Sequence, residues 1–260
     1  TGTLQANAQD NHDLTPDLTV QAGSSAQAEV VANDLTGLTG NLTVQYGEGE
    51  RWLQGQLLVA DASTPDQITG QLDASLMSNK RLSDQILLEQ GGAIHAAVAG
   101  GQLQRLSGQV TALYSTWLQG QIALQDSDLE SVDGTLTGSL TAERPLAGDV
   151  VLRRGGNLQA TLQASEVTAV QGQVDWRYAE WLQGQLAIQA DAELALSGRG
   201  TAELAQQKRI GDGQLELQRG GGLQVAFANN TLTDASGQLG WRYADWLEGQ
   251  PMEREVSPGA

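Results

Sequence analysis

The pentapeptide Trp-Leu-(Gln/Glu)-Gly-Gln occurs four times, at Trp52–Gln56, Trp117–Gln121, Trp181–Gln185 and Trp246–Gln250. Any fold of this chain must therefore be one that can be rebuilt about every 65 residues. Two further anchors keep the same period. A glycine pair, Gly91-Gly92, Gly155-Gly156 and Gly220-Gly221, stands at one fixed interval before its tryptophan; the first copy has Gly23-Ser24 instead, slightly further ahead. Gly2, Gly70, Gly134 and Gly198 precede these at a near-constant interval. Tyr46, Tyr114, Tyr178 and Tyr243 share one slot, and the longer first copy is accounted for by Gly47-Glu48-Gly49-Glu50-Arg51 after Tyr46. The repeats are delimited as 1–66, 67–130, 131–195 and 196–260, in one continuous array.

Within a repeat the hydrophobic period is two. In the third copy Gly134, Leu136, Gly138, Leu140 and Ala142 alternate with hydroxyl residues, and the same alternation runs through Leu158, Ala160 and Leu162, through Val174, Trp176 and Tyr178, and through Leu182, Gly184, Leu186 and Ile188. That is the pattern of half-buried strands. Breakers at Glu143-Arg144-Pro145, Gly155-Gly156, Ser165-Glu166 and Ala179-Glu180 divide the copy into five strands, near 132–142, 148–154, 157–164, 167–178 and 181–190. Connections this short join antiparallel neighbours. The fold class is thus all-β: four tandem repeats of about five antiparallel strands, forming an elongated rolled or stacked β-sheet. Five strands per repeat would turn successive Trp-Leu strands in opposite directions. Glycine and alanine at inward positions (Gly134, Gly138, Gly184, Ala160) would let opposing walls approach closely.

Composition excludes several function classes. Fourteen basic residues stand against 31 acidic ones, a net charge of −17, so the basic footprint that nucleic acid or anionic lipid requires is missing. No stretch is long and apolar enough for a transmembrane segment, and the first residues, Thr1-Gly2-Thr3-Leu4, carry no signal sequence. The absence of cysteine excludes disulfides and thiolate metal sites and is compatible with an extracytoplasmic, secreted or cell-surface location.

The search for chemistry returns little. His12, in Asp10-Asn11-His12-Asp13, reads as a solvated turn, and His95, between Ile94 and Ala96, as a solvent-facing strand residue; neither recurs. Phosphate loops, nucleophile elbows and metalloprotease motifs are absent from the sequence. The expectation is no enzyme, no catalytic residue, no metal and no cofactor. The acidic junction Asp126-Ser127-Asp128-Leu129-Glu130 has calcium-type ligands, but its counterparts Asp61-Ala62-Ser63-Thr64 and Ala190-Asp191-Ala192-Glu193 keep only part of the charge, so it reads as a solvated turn.

The informative constellation is the aromatic corner, which collects all six tryptophans and all four tyrosines. Trp176, Tyr178 and Trp181 in the third copy match Trp241, Tyr243 and Trp246 in the fourth. One reading is a hairpin clamp that closes the end of the core, with Tyr and Trp flanking a turn. The other makes these six residues a binding surface, flat aromatic platforms for a carbohydrate or protein partner.

Trp-Leu-x-Gly-x-Leu strands recurring with glycine pairs and Leu-Thr-x-x-x-Gly segments resemble the repeat regions of very large exported bacterial proteins, including toxin-like proteins associated with contractile injection systems. The resemblance implies a passive spacer, rod or scaffold whose partners are neighbouring repeats or flanking domains of a larger chain. A second similarity is to β-groove proteins of the AsmA and TamB type, which implies a lipid-conducting groove; the small inward residues and the regular period speak against it.

Overall fold

The structure is a computed structural model that describes residues 2–32, 34–47, 49–64, 67–127, 131–146, 149–190, 195–244 and 247–249, without the side chains of Leu35, Asp61 and Ala62. All its secondary-structure elements are strands. The first six are β1 (Gly2–Asn7), β2 (His12–Thr15), β3 (Leu18–Val20), β4 (Ser25–Val31), β5 (Asp34–Tyr46) and β6 (Leu53–Ser63). The next six are β7 (Gly70–Leu76), β8 (Lys80–Arg81), β9 (Ile86–Leu88), β10 (Gly91–Ala99), β11 (Gln102–Tyr114) and β12 (Leu118–Ser127). Then come β13 (Gly134–Leu140), β14 (Arg144–Pro145), β15 (Val150–Leu152), β16 (Gly155–Gln163), β17 (Glu166–Tyr178) and β18 (Leu182–Ala190). The last are β19 (Leu196–Leu204), β20 (Lys208–Ile210), β21 (Leu215–Leu217), β22 (Gly220–Ala228), β23 (Thr231–Gln238), β24 (Trp241–Tyr243) and β25 (Leu247–Gly249). Twenty-one strands belong to a large antiparallel sheet, and β20, β21, β24 and β25 form a small second one. In the third copy the five expected strands match β13, β15, β16, β17 and β18; Arg144–Pro145, read as a breaker, is a two-residue strand.

The chain divides into two compact units, residues 1–137 with 161–167 and residues 138–160 with 168–260. In the first unit β6 pairs with β7, β7 with β10, β10 with β11 and β11 with β12, every step antiparallel. The short strand β9 does not add a level to this order. It lies in line with β10 and pairs with the far end of the long strand β11, Leu88 opposite Ala112 and Ile86 opposite Tyr114. Likewise β3 and β4 together span β5. The sheet therefore advances four levels from β6 to β12, an even number, and the two Trp-Leu strands run in the same direction. The expectation of alternating directions fails here because of the glycine pair. Gly91 (φ +98) and Gly92 (φ +77) bend the chain between β9 and β10 while both stay on the edge of β11.

A fourth periodic glycine was not singled out in the sequence. Gly40, Gly108, Gly172 and Gly237 interrupt the long strands with φ of +148, +124, +145 and +144, a conformation open to glycine and strained for any side chain. At Gly40 and Gly108 the register with the following strand shifts, whereas Gly172 pairs with Ile188 without a shift.

In the second unit β17 pairs with β18 over nine residues, β18 with β19 over nine, β19 with β22 and β22 with β23. Alternation decides what is buried. In β18 Leu182, Leu186 and Ile188 are buried and the glutamines are not. Trp176 stands directly opposite Gly184 and Phe227 opposite Gly198, so each ring covers a position without a side chain. The two rings meet edge to face at 5.0 Å. On a flat sheet their strands, three steps apart, would be about 14 Å from each other, so the sheet curls toward its apolar face between them.

Candidate functional site

The corner is built by the hairpin between the long strand and the Trp-Leu strand. Tyr46 and Trp52, Tyr114 and Trp117, and Tyr178 and Trp181 each form an edge-to-face pair, with centroids 6.4, 5.8 and 5.9 Å apart. The residue after each tyrosine donates its N–H to a carbonyl in the tip of the preceding hairpin: Gly47 to Asp17, Ser115 to Gln85, Ala179 to Asp149 and Ala244 to Gln214, at 2.6 to 2.9 Å. Tyr114 Oη donates to Gln85 Oε1, and Tyr243 Oη to Gln214 Oε1 at 2.6 Å. In these two copies the phenol adds a second tie between the corner and that tip.

Two tryptophans carry a cation as well. Lys80 Nζ stands 5.3 Å from the centroid of Trp52, and Lys208 Nζ 5.6 Å from that of Trp181. Each lysine comes from the strand pair that follows the Trp-Leu strand, so a ring face that would serve as a platform is met by the next segment of chain.

The six candidate residues separate. Trp176 is wholly buried against Phe227 and offers no accessible face; its Nε1 has no hydrogen-bond partner. Tyr178 and Trp181 are half-buried and pack on each other. Trp241 is half-buried opposite Gly249, and Tyr243 is exposed. Trp246 lies outside the described residues. Alternation does put Arg177 across from its neighbours. It donates to Glu180 Oε1 at 2.6 Å and Glu143 Oε2 at 3.1 Å, and the Glu143 bond, more than any other influence, raises its pKa above the ordinary value.

Among the described residues, two further clusters bring titratable side chains together. Asp73, His95 and Ser107 form one row across β7, β10 and β11, with Asp73 Oδ1 2.5 Å from His95 Nδ1. This juxtaposition of an acid, an imidazole and a hydroxyl was not read from the sequence. Ser107 Oγ donates to the backbone oxygen of His95 at 3.4 Å and not to the ring. His95 is solvent-facing, as its place between Ile94 and Ala96 implies. Asp13, beside His12, accepts from the Thr19 hydroxyl at 2.5 Å and from Arg51 at 3.2 Å; the Thr19 bond leads in lowering its pKa.

An open groove of about 1030 Å³ in the second unit has Gly184 and Gly237 in its floor and Gln183, Gln185, Gln224 and Gln238 along it. Its one aromatic residue is the buried Trp176, so it presents no ring for a sugar to stack on.

The acidic junction is partly described. Asp126 Oδ2 accepts from Arg105 at 2.6 Å, and the buried Ser127 hydroxyl bonds the N–H and C=O of Asp133. Ser63, at the equivalent position one repeat earlier, does the same for Thr69. These serines close the turn into the next strand, and their spacing was the signal available in the sequence. Asp128, Leu129, Glu130 and 191–194 lie outside the described residues. Because the junction carboxylates do not repeat in register, calcium added to metal-free protein is expected to move the melting temperature by less than about two degrees; a rise of about ten would overturn this.

Fold and corner together define an antiparallel β-sheet protein with recurring aromatic hairpin ends. Compared with family models, characterised proteins and solved structures, the chain matches none.

Proposed function

We propose that this chain is a non-catalytic structural spacer, a rod or scaffold segment of four repeats, in a large secreted or surface-exposed bacterial protein. The observation that carries the reading is how successive repeats join. The Trp-Leu strand of one is hydrogen-bonded along its length to the first strand of the next, over seven residues between β6 and β7 and nine between β18 and β19. Lys80 and Lys208 reinforce the same two junctions. Repeats joined in this way lack the hinged linker of independent domains and transmit load through backbone hydrogen bonds. The rival reading, a carbohydrate- or protein-binding module on the corner, needs open ring faces, and it is disfavoured where lysines approach them.

Proteins with two, four and eight copies of the repeat test this by small-angle X-ray scattering. The maximum dimension is expected to grow linearly, by up to about 19 Å per repeat, which is four strand spacings of about 4.8 Å. Growth with the cube root of copy number, as for a globule, sinks the spacer reading.

A further inference from the structure

The polar face of each unit carries an equivalent row of side chains, and the two rows differ in what their polar atoms bond. In the first unit Thr43, Gln56, Asp73, His95 and Ser107 stand side by side across β5, β6, β7, β10 and β11. They bond one another: Gln56 Nε2 donates to Thr43 Oγ1 at 3.0 Å, Asp73 Oδ1 lies 2.5 Å from His95 Nδ1, and Ser107 donates to the His95 carbonyl. In the second unit the same positions of the repeat are Asp175, Gln185, Thr201, Gln224 and Ser236, again in register across β17, β18, β19, β22 and β23. These residues are exposed, and among the described residues none of their side chains has a hydrogen-bond partner.

This unbonded row lines the open groove of about 1030 Å³. Arg153 extends it beyond Asp175, whose carbonyl accepts from the Arg153 N–H at 2.8 Å, and its guanidinium is likewise unpaired among the described residues. Further along the strands, on the same face, come Gln183, Glu203 and Gly222. The first two bond each other at 3.1 Å, and a β-carbon at Gly222 would meet nothing, so the groove is open over β22. Because β18, β19 and β22 are each paired on both edges, the row lies within the sheet and not at a free edge.

We propose that this groove, apart from the aromatic corner, binds an uncharged, hydroxyl-rich chain: an oligosaccharide lying across the strands. Amide and hydroxyl side chains both donate and accept, as sugar hydroxyls do, so Gln185, Thr201, Gln224 and Ser236 match such a ligand group by group. Arg153 and Asp175 add a charged donor and a charged acceptor, whose hydrogen bonds are stronger than neutral ones. From Asp175 to Ser236 the row runs about 19 Å, four strand spacings, so the ligand it fits is a chain and not a single ring. Asp175, Glu203 and the net charge of −17 oppose a polyanion. An added peptide strand finds no unpaired edge among β18, β19 and β22. With no ring to stack on, hydrogen bonds carry the affinity, and a Kd of about 1 mM is expected. The proposal stands independently of the spacer reading.

The test titrates the isotope-labelled full chain with cellohexaose, maltohexaose and chitohexaose and follows the glutamine side-chain amides by NMR. Saturable shifts at Gln185 and Gln224 are expected with at least one of the three, with none at Gln56. Replacing both residues, Gln185→Ala with Gln224→Ala, is expected to weaken binding about tenfold or more. Gln56→Ala, the equivalent change in the first unit, leaves it unchanged; all three glutamines are exposed, so the variants keep the fold. Absence of saturable shifts with every one of these sugars at about 10 mM overturns the proposal. So does an equal loss in Gln56→Ala. Tighter binding of a sulfated hexasaccharide at the same amides also overturns it, since the groove would then be an anion site.

Discussion

Gly172→Ala is expected to destabilise the second unit by about 3 kcal/mol, the upper end of the cost of holding a side chain in a glycine-only backbone region. The position has φ +145, and a β-carbon there would overlap the carbonyl oxygen of Asn157 and approach Leu158 Cα to 2.9 Å. Neither neighbour is a flexible side-chain end; both are backbone of the adjacent strand, so relief requires the two strands to shift apart. Urea unfolding measures the effect as a lower midpoint at unchanged slope. Gln171→Ala, one residue away on the exposed face, is expected to stay within about 0.5 kcal/mol of the parent. A loss below about 1 kcal/mol for Gly172→Ala, the lower end of that same range, would mean that this backbone conformation and close approach are not built into the native state.

Positive φ at glycine also marks where the sequence stops being legible. Alternation, cut by breakers, located the strands of the third copy, because a period of two is a local property that one buried face imposes on every strand. It did not reveal which strands lie in line. Residues 148–154 and 157–164 read as two strands with the breaker Gly155-Gly156 between them, whereas β16 already begins at Gly155; whether two strands make one level or two depends on the backbone at Gly155 and Gly156. Positive φ there is permitted by glycine but not announced by it. The inward glycines teach the same lesson. Gly184 was read as room for an opposing wall, yet its missing β-carbon would strike the backbone of Thr201 and Ala202 on the adjacent strand. The close neighbour is in the same sheet, since the sheet curls, and curling is a tertiary property. In the corner, the pairing of Tyr with Trp was legible from their flanking a short turn. The lysines were not, because Lys80 and Lys208 lie a whole strand and turn beyond Trp52 and Trp181 and reach them only through strand pairing.

Trp176 is the side chain on which the core of the second unit leans most. It is 0% exposed, the largest fully buried side chain among the described residues, and it stands opposite Gly184 with its ring against Phe227. Trp176→Ala is expected to cost about 3 to 5 kcal/mol, because neither Gly184 nor Ala202 has a side chain that can collapse into the void. Trp176→Phe separates two opposing effects. The smaller ring forfeits packing, at a cost of about 1 to 2 kcal/mol. It also removes the indole N–H, which is buried without a partner and carries a desolvation penalty of about 1 to 3 kcal/mol in the parent. The two terms nearly cancel, so Trp176→Phe is expected to lie within about 1 kcal/mol of the parent. Urea titrations of both variants, followed by far-UV circular dichroism so that the signal does not depend on the replaced indole, give the two values side by side. A loss near that of Trp176→Ala would show that the indole N–H is satisfied in solution, its lost hydrogen bond adding to the lost packing.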